Sequence, residues 1–148
     1  MPVEIKKALI EDVKQIAPLF NAYRVFYKQD SDIEAAADFL QQRLSNNESV
    51  VFIAFVDNVA VGFCQLFPVF SSVGLKRAWL LNDIYVNEAA RGKGTAAALL
   101  QEAKKFGIAN DARWLLLQTS ADNITAQSVY KKNGWNRVED YFYELPLS

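Results

Sequence analysis

Residues 78 to 120 hold the arrangement that most narrows what this chain can fold into. "AWLLNDIYV" carries apolar residues on both parities, the pattern of a strand buried on both faces. Two closely spaced glycines follow in Arg91-Gly92-Lys93-Gly94-Thr95. Ala96, Leu99, Leu100, Ala103 and Phe106 then recur at three- and four-residue steps, with Gln101, Glu102, Lys104 and Lys105 opposite. That stripe predicts an amphipathic helix over about 94 to 109. "RWLLLQTS" reads as a second buried strand, so the helix should form a right-handed crossover between parallel strands.

The rest of the chain supplies partners for that unit. "VEIKKAL" alternates as a first strand, and Val13, Ile16, Ala17, Phe20, Tyr23 and Phe26 mark a helix to about residue 28, limited or kinked by Pro18. A second helix runs from about Asp32, its N-cap, to Asn46. "VVFIAFV", Asp57-Asn58 and "VAVGFCQLF" form a hairpin whose second strand ends at Pro68, and "FSSVGLK" is a loop. Near the C-terminus "NITAQSVYKKN" is a short helix closed by Gly134 as a left-handed cap, and "YFYELPL" a terminal strand, with a short extra strand near 135 to 139. Hairpins first and strand-helix-strand later give a mixed, strongly twisted sheet with helices on both faces. At 148 residues the whole chain is expected to be one domain with one core.

Composition limits the function. A 51% hydrophobic chain with 22% charged residues is globular rather than disordered. A net charge of -1, from 16 basic and 17 acidic residues, gives no bulk attraction to nucleic acid or an anionic membrane, so neither is an expected partner. Cys64 stands alone, which rules out an intrachain disulfide and a cysteine metal cluster. No histidine is present, so triads built on histidine are excluded and no metal is expected. The opening "MPVEIKKALIED" lacks a signal-peptide core and no apolar run nears the roughly 20 residues of a membrane span, so the expected location is the cytoplasm.

A glycine turn at a helix start gathers backbone N–H groups where the helix dipole is positive, a setting suited to phosphate. Two glycines alone serve an ordinary strand-to-helix loop equally well. The P-loop pattern fails because Gly94 is followed by Thr95-Ala96. Gly92-x-Gly94-x-x-Ala97 satisfies the dinucleotide fingerprint formally, yet Asn87 to Arg91 intervene after the strand, and "LLLQTS" stands where an acidic ribose ligand is needed.

"LNDIYVNEAARGKGTAAALL" resembles the acetyl-CoA-binding segment of the GCN5-related N-acetyltransferases, [Q/R]-x-x-G-x-[G/A], through Arg91, Gly94 and Ala96. "NITAQSVYKKNGW" is similar to that family's second motif, N-x-x-A-x-x-x-Y-x-x-x-G-[F/W], through Asn123, Ala126, Tyr130, Gly134 and Trp135. The resemblance implies a twisted, mostly antiparallel sheet of six to seven strands, with a central parallel pair (strands four and five) and about four helices. It also implies transfer of acetyl from acetyl-CoA to a primary amine by direct attack: a polyamine-like small amine, a lysine or an N-terminus. A CoA-binding sensor of the same fold without turnover is the alternative.

On that resemblance, Arg91, Gly92, Lys93, Gly94, Thr95 and Ala96 hold the pyrophosphate, while strands splaying near Val86 and Leu117 let pantetheine bond to the backbone of Ile84, Tyr85 and Val86. Asn123 caps its helix or touches CoA. An alkylamine with a pKa near 10 must lose a proton before attacking, and Asp83 is the best acid to receive it or to position a cationic substrate. Glu88, Asp140 and Glu144 are reserves. Tyr130 either protonates the leaving thiolate or is a core tyrosine. Cys64, in an apolar strand without a basic partner, reads as a small buried residue rather than an acyl carrier. Tyr23, Phe26 and Tyr27 with Asp30 and Asp32, Phe70 to Ser72, and Tyr141 to Tyr143 are weak candidates for the acceptor pocket. The aromatic C-terminal surface would suit a homodimer.

Overall fold

A computed structural model of the chain describes residues 2–148, which fall into two compact units, one ending at Gln118 and the other spanning Thr119–Ser148. The first holds a five-stranded sheet of β1 (Glu4–Lys7), β2 (Val50–Val56), β3 (Val59–Ser71), β4 (Lys76–Val86) and β5 (Leu115–Leu116), in that spatial order. β1 to β4 are antiparallel neighbours, and β5 runs parallel to β4. Helices α1 (Val13–Phe26) and α2 (Ile33–Ser45) connect β1 to β2, and α3 (Thr95–Ala109) connects β4 to β5. The expectation of six to seven strands with a central parallel pair is corrected: among the described residues there are five, and the parallel pair lies at an edge.

Alternation along the strands sends side chains to two different layers. Val51 and Ile53 of β2 join Ile16, Phe20, Leu40 and Phe63 in a core formed with α1 and α2. Phe52, between them, meets Phe106 of α3 with ring centroids 5.8 Å apart. Helices therefore cover both faces, as the sequence implied.

Local chemistry explains where the elements begin and end. The Asp32 side chain accepts the Ala35 N–H at 3.0 Å and caps α2. Asp57 and Asn58 both have positive φ, 51° and 65°, the backbone that a tight two-residue hairpin turn demands. Pro18 lies inside α1 rather than limiting it. It faces solvent, where water can serve the carbonyl that its missing N–H leaves unpaired. β3 continues past Pro68 to Ser71, because β2 reaches only as far as Leu66 and Pro68 pairs with Trp79 of β4 alone. A proline there interrupts one ladder at most.

In the second unit, α4 (Ile124–Lys132) starts with the Asn123 side chain accepting the Ala126 N–H at 3.1 Å. Its other end is a complete Schellman motif. Trp135 N–H bonds to the Tyr130 carbonyl at 3.1 Å and Gly134 N–H to the Lys131 carbonyl at 3.2 Å, with Gly134 at φ 90°. The left-handed cap expected at Gly134 is present. The strands expected at "YFYELPL" and near 135 to 139 are not: residues 135–148 carry no regular secondary structure. Aromatic content favours an extended backbone, but a strand exists only when its hydrogen bonds find a neighbour.

Candidate active site

The β3–β4 register pairs Gln65 with Asp83 but Leu66 with Leu81, so Asn82 is an extra residue on β4. This bulge re-aims the neighbouring side chains, as bulges do. Gln65 Nε2 donates to Asp83 Oδ2 at 2.6 Å, and Asn82 Nδ2 donates to Asp83 Oδ1 at 3.0 Å. Tyr23 of α1 hydrogen-bonds to the same carboxylate. Asp83 is only 4% exposed and Gln65 is fully buried. Burial pushes the Asp83 carboxyl above the usual carboxylate range, while the bonds from Gln65, Tyr23 and Asn82 pull the other way without reversing it. All three donors are neutral, so none of them adds a positive charge that would hold Asp83 ionised.

Asp83 borders a cavity of about 580 Å³ walled by Phe20, Tyr23, Tyr27, Phe39 and Phe67, with Arg24 and Asn82 also lining it. Tyr27, a weak substrate candidate from sequence, is thus brought together with Asp83. Phe26, Asp30 and Phe70 to Ser72 do not line this space, which takes Phe67 instead.

On the donor side, β4 and β5 pair only at Trp79 with Leu115 and Leu80 with Leu116. They part earlier than the expected point near Val86 and Leu117. Among the described residues, Ile84, Tyr85 and Val86 therefore pair with β3 on one side and have no strand on the other. A short 3-10 turn, Glu88–Ala90, follows, with the Asn87 side chain accepting the Ala90 N–H at 3.1 Å. Gly92 and Gly94 sit at φ 77° and 82°, left-handed backbone that glycine adopts without strain. The first bond of α3 runs from Ala98 N–H to the Gly94 carbonyl at 3.0 Å, so the amides of Thr95, Ala96 and Ala97 come before any intrahelical bond. A Cβ at Gly92 or Gly94 would meet no protein atom within 4 Å, and the space outside the turn is open to a ligand. These residues fit a pyrophosphate group.

Side chains of the turn face inward more than the motif alone suggests. Thr95 is buried, its hydroxyl 3.5 Å from the Ala90 carbonyl oxygen, so what it can offer a ligand is its amide. Arg91 Nε donates to the Val86 carbonyl at 2.8 Å and its guanidinium lies 5.6 Å from the centre of the Tyr85 ring. It ties the turn to the end of β4. Lys93 is exposed.

Asn123, Tyr130 and Tyr143 belong to the second unit. Asn123 is the α4 cap, and the Tyr130 and Trp135 rings lie 6.4 Å apart across the Schellman motif. The second motif's spacing is therefore also that of a helix capped at both ends. Tyr143 is 93% exposed. Glu88, Asp140 and Glu144 are exposed, and Cys64 is fully buried with its thiol pushed up to about 12 by burial, which leaves it inert as expected. Gln65 and Asn82 were missed from sequence. The signal was there in part, since Gln65 is the one polar residue of "VAVGFCQLF".

A sheet that forks beside a glycine-led helix start is an acetyltransferase architecture: a crystal structure of a probable acetyltransferase matches with a TM-score of 0.93 over 98% of both chains, at 44% identity. The Acetyltransferase (GNAT) family model matches residues 13–135, and the chain belongs to that family as an N-acetyltransferase. It is 47% identical over 133 residues to the uncharacterized N-acetyltransferase YhfO of Bacillus subtilis (strain 168), covering 90% of this chain and 89% of the relative. It is 42% identical over 148 residues to a probable acetyltransferase of Haemophilus influenzae, covering 99% of each. Acetyltransferases of this family use acetyl-CoA. Among the described residues no helix is long and apolar enough to cross a membrane, and no group of three or more His, Cys, Asp or Glu is placed to hold a metal ion.

Proposed function

We propose that this N-acetyltransferase moves acetyl from acetyl-CoA to a primary amine by direct attack of the amine, with Asp83 as the proton acceptor. One observation carries the reading: a buried carboxylate held by three neutral donors borders a cavity and immediately precedes Ile84–Val86, the stretch of the same strand with an open edge. Acetyl-CoA supplies the activated acetyl group. The backbone of Ile84, Tyr85 and Val86 and the amides of residues 91 to 96 hold it, with Lys93 adding charge beside the phosphates and Arg91 stiffening the turn. Asp83 then takes the proton from the ammonium form of the acceptor, which predominates at neutral pH because alkylamines titrate near 10. Its raised pKa makes the carboxylate a stronger base than an exposed aspartate. The Tyr130 hydroxyl, with a pKa of about 10 against about 8.5 for a thiol, donates the proton that the departing sulfur needs.

The family match spans both compact units, which supports a single catalytic domain. The lone, buried Cys64 supports a reducing, cytoplasmic setting. Exposed Tyr141, Phe142, Tyr143, Leu145 and Leu147 support a homodimer built through the C-terminal stretch.

Thermal unfolding with and without acetyl-CoA, followed by thiol-release assays on an amine panel, tests the reading. A rise in Tm with acetyl-CoA and thiol release with at least one amine are expected; absence of both sinks it. Tyr130→Phe should cut turnover while the acetyl-CoA shift in Tm persists, and unchanged turnover removes Tyr130 as the acid.

A further inference from the structure

The cavity beside Asp83 restricts the acceptor by charge as well as by shape, an inference that rests on the acetyl-transfer reading above. Its walls are aromatic, and their rings support one another: Phe20 and Phe39 lie 5.8 Å apart and Tyr23 and Tyr27 4.9 Å apart, centre to centre. At about 580 Å³ the space is that of a small-molecule site, which typically measures roughly 300 to 1,000 Å³. Two charged residues line it, Asp83 and Arg24. Arg24 is half-buried in the last turn of α1, and none of the three ion pairs among the described residues includes it. An arginine half-buried beside apolar walls favours an anion that can accept the forked hydrogen bonds of its guanidinium.

One carboxylate and one guanidinium make a poor site for a polycation. A polyamine or an aminoglycoside brings several ammonium groups, of which Asp83 can meet one while Arg24 repels the rest. We propose that the acceptor is a small monoamine with an aromatic body and a carboxylate, an aromatic amino acid or a close analogue. Its amine lodges at Asp83, its ring lies among the aromatic walls, and its carboxylate is met by Arg24.

Thiol release from acetyl-CoA by the full-length chain, measured with phenylalanine, phenethylamine, spermidine, kanamycin and a lysine-containing peptide, tests this assignment. Phenylalanine should give the highest kcat/KM, about tenfold or more above phenethylamine, the difference expected for one charge-assisted contact. Arg24→Ala should raise the KM for phenylalanine with little change in kcat, closing the gap to phenethylamine. Arg24→Lys should keep most of that gap, and Arg24→Glu should shift preference toward spermidine. An arginine that merely stabilises the end of α1 would lower Tm without changing the order of acceptors, and that result overturns the assignment. So does a panel led by spermidine, kanamycin or the peptide. If acetyl-CoA raises Tm but no amine in the panel releases thiol, the acceptor assignment fails and the donor site stands. If acetyl-CoA leaves Tm unchanged and no amine releases thiol, the acetyl-transfer reading fails and the acceptor assignment falls with it.

Discussion

Asp12, where the chain enters α1, and Asp83, in the middle of β4, are both buried aspartates, 6% and 4% exposed. Their surroundings differ in one respect that decides what each can do. Asp12 Oδ1 is 2.9 Å from the Lys6 ammonium, and its Oδ2 accepts the Leu9 N–H at 2.8 Å. Burial alone would raise its pKa, but the Leu9 N–H and the Lys6 charge outweigh burial and hold the carboxyl below the ordinary value of 3.8. Asp83 receives only neutral donors, and for it burial wins. A carboxylate committed to a cation fastens a corner of the fold. One whose pKa burial raises, beside a cavity and with neutral donors, is suited to take up a proton or to meet an ammonium group.

The largest effect should come from Asp83→Asn. Loss of a general base typically costs about 100-fold or more in turnover, and the acetyl-CoA shift in Tm should survive because the donor residues are untouched. A loss below about tenfold would erase the functional side of the contrast. Asp12→Ala should do the opposite, leaving kcat/KM within about twofold and lowering stability by about 1 to 2 kcal/mol, the scale of a lost helix-entry contact. Denaturant unfolding measures it, and a catalytic defect without a stability defect would reverse the two roles.

Acid and base then separate the pair by sign. The Asp12 pKa is lowered by folding, so its contribution is present above 3.8 and lost as pH falls through the folded value; the stability gap between wild type and Asp12→Ala should close on acidification. The Asp83 pKa is raised, so its contribution is complete below 3.8 and lost as pH rises through the folded value. The Tm of Asp83→Asn relative to wild type should therefore climb from pH 3.8 upward. Parallel rather than opposed trends would show that both acids have similar environments. The smallest effect is expected from Gln65→Leu, which removes the 2.6 Å bond that favours the ionised form and should move the acidic limb of the pH–rate profile upward by a fraction of a unit to about one unit.

Much of the local structure of the two motifs was legible because it depends on local rules. Gly92, Gly94 and Gly134 mark positive φ, and Asn123 marks a helix start, wherever the rest of the chain goes. Asp83 could be singled out as an acid in an apolar strand. Its partner could not, because Gln65 faces Asp83 through a strand register and the extra residue Asn82, neither of which a two-residue period encodes. Arg24 was equally hidden, since the cavity it lines is assembled from α1, α2, β3 and β4. The strand expected at 113 to 120 is present but shortened, and the one expected at 141 to 147 is absent, for a related reason. β5 shrinks to Leu115–Leu116 and "YFYELPL" stays irregular, because pairing depends on a neighbour and not on composition.

That two-residue β5 leaves a signature that isotope exchange can read. From Asp83 onward, past the bulge at Asn82, successive β4 peptides turn alternately toward β3 and toward the open side, so amide protons in this stretch should exchange in an every-other-residue pattern, slow then fast. A molecule lying along the fork would slow the fast set and leave the slow set as it was.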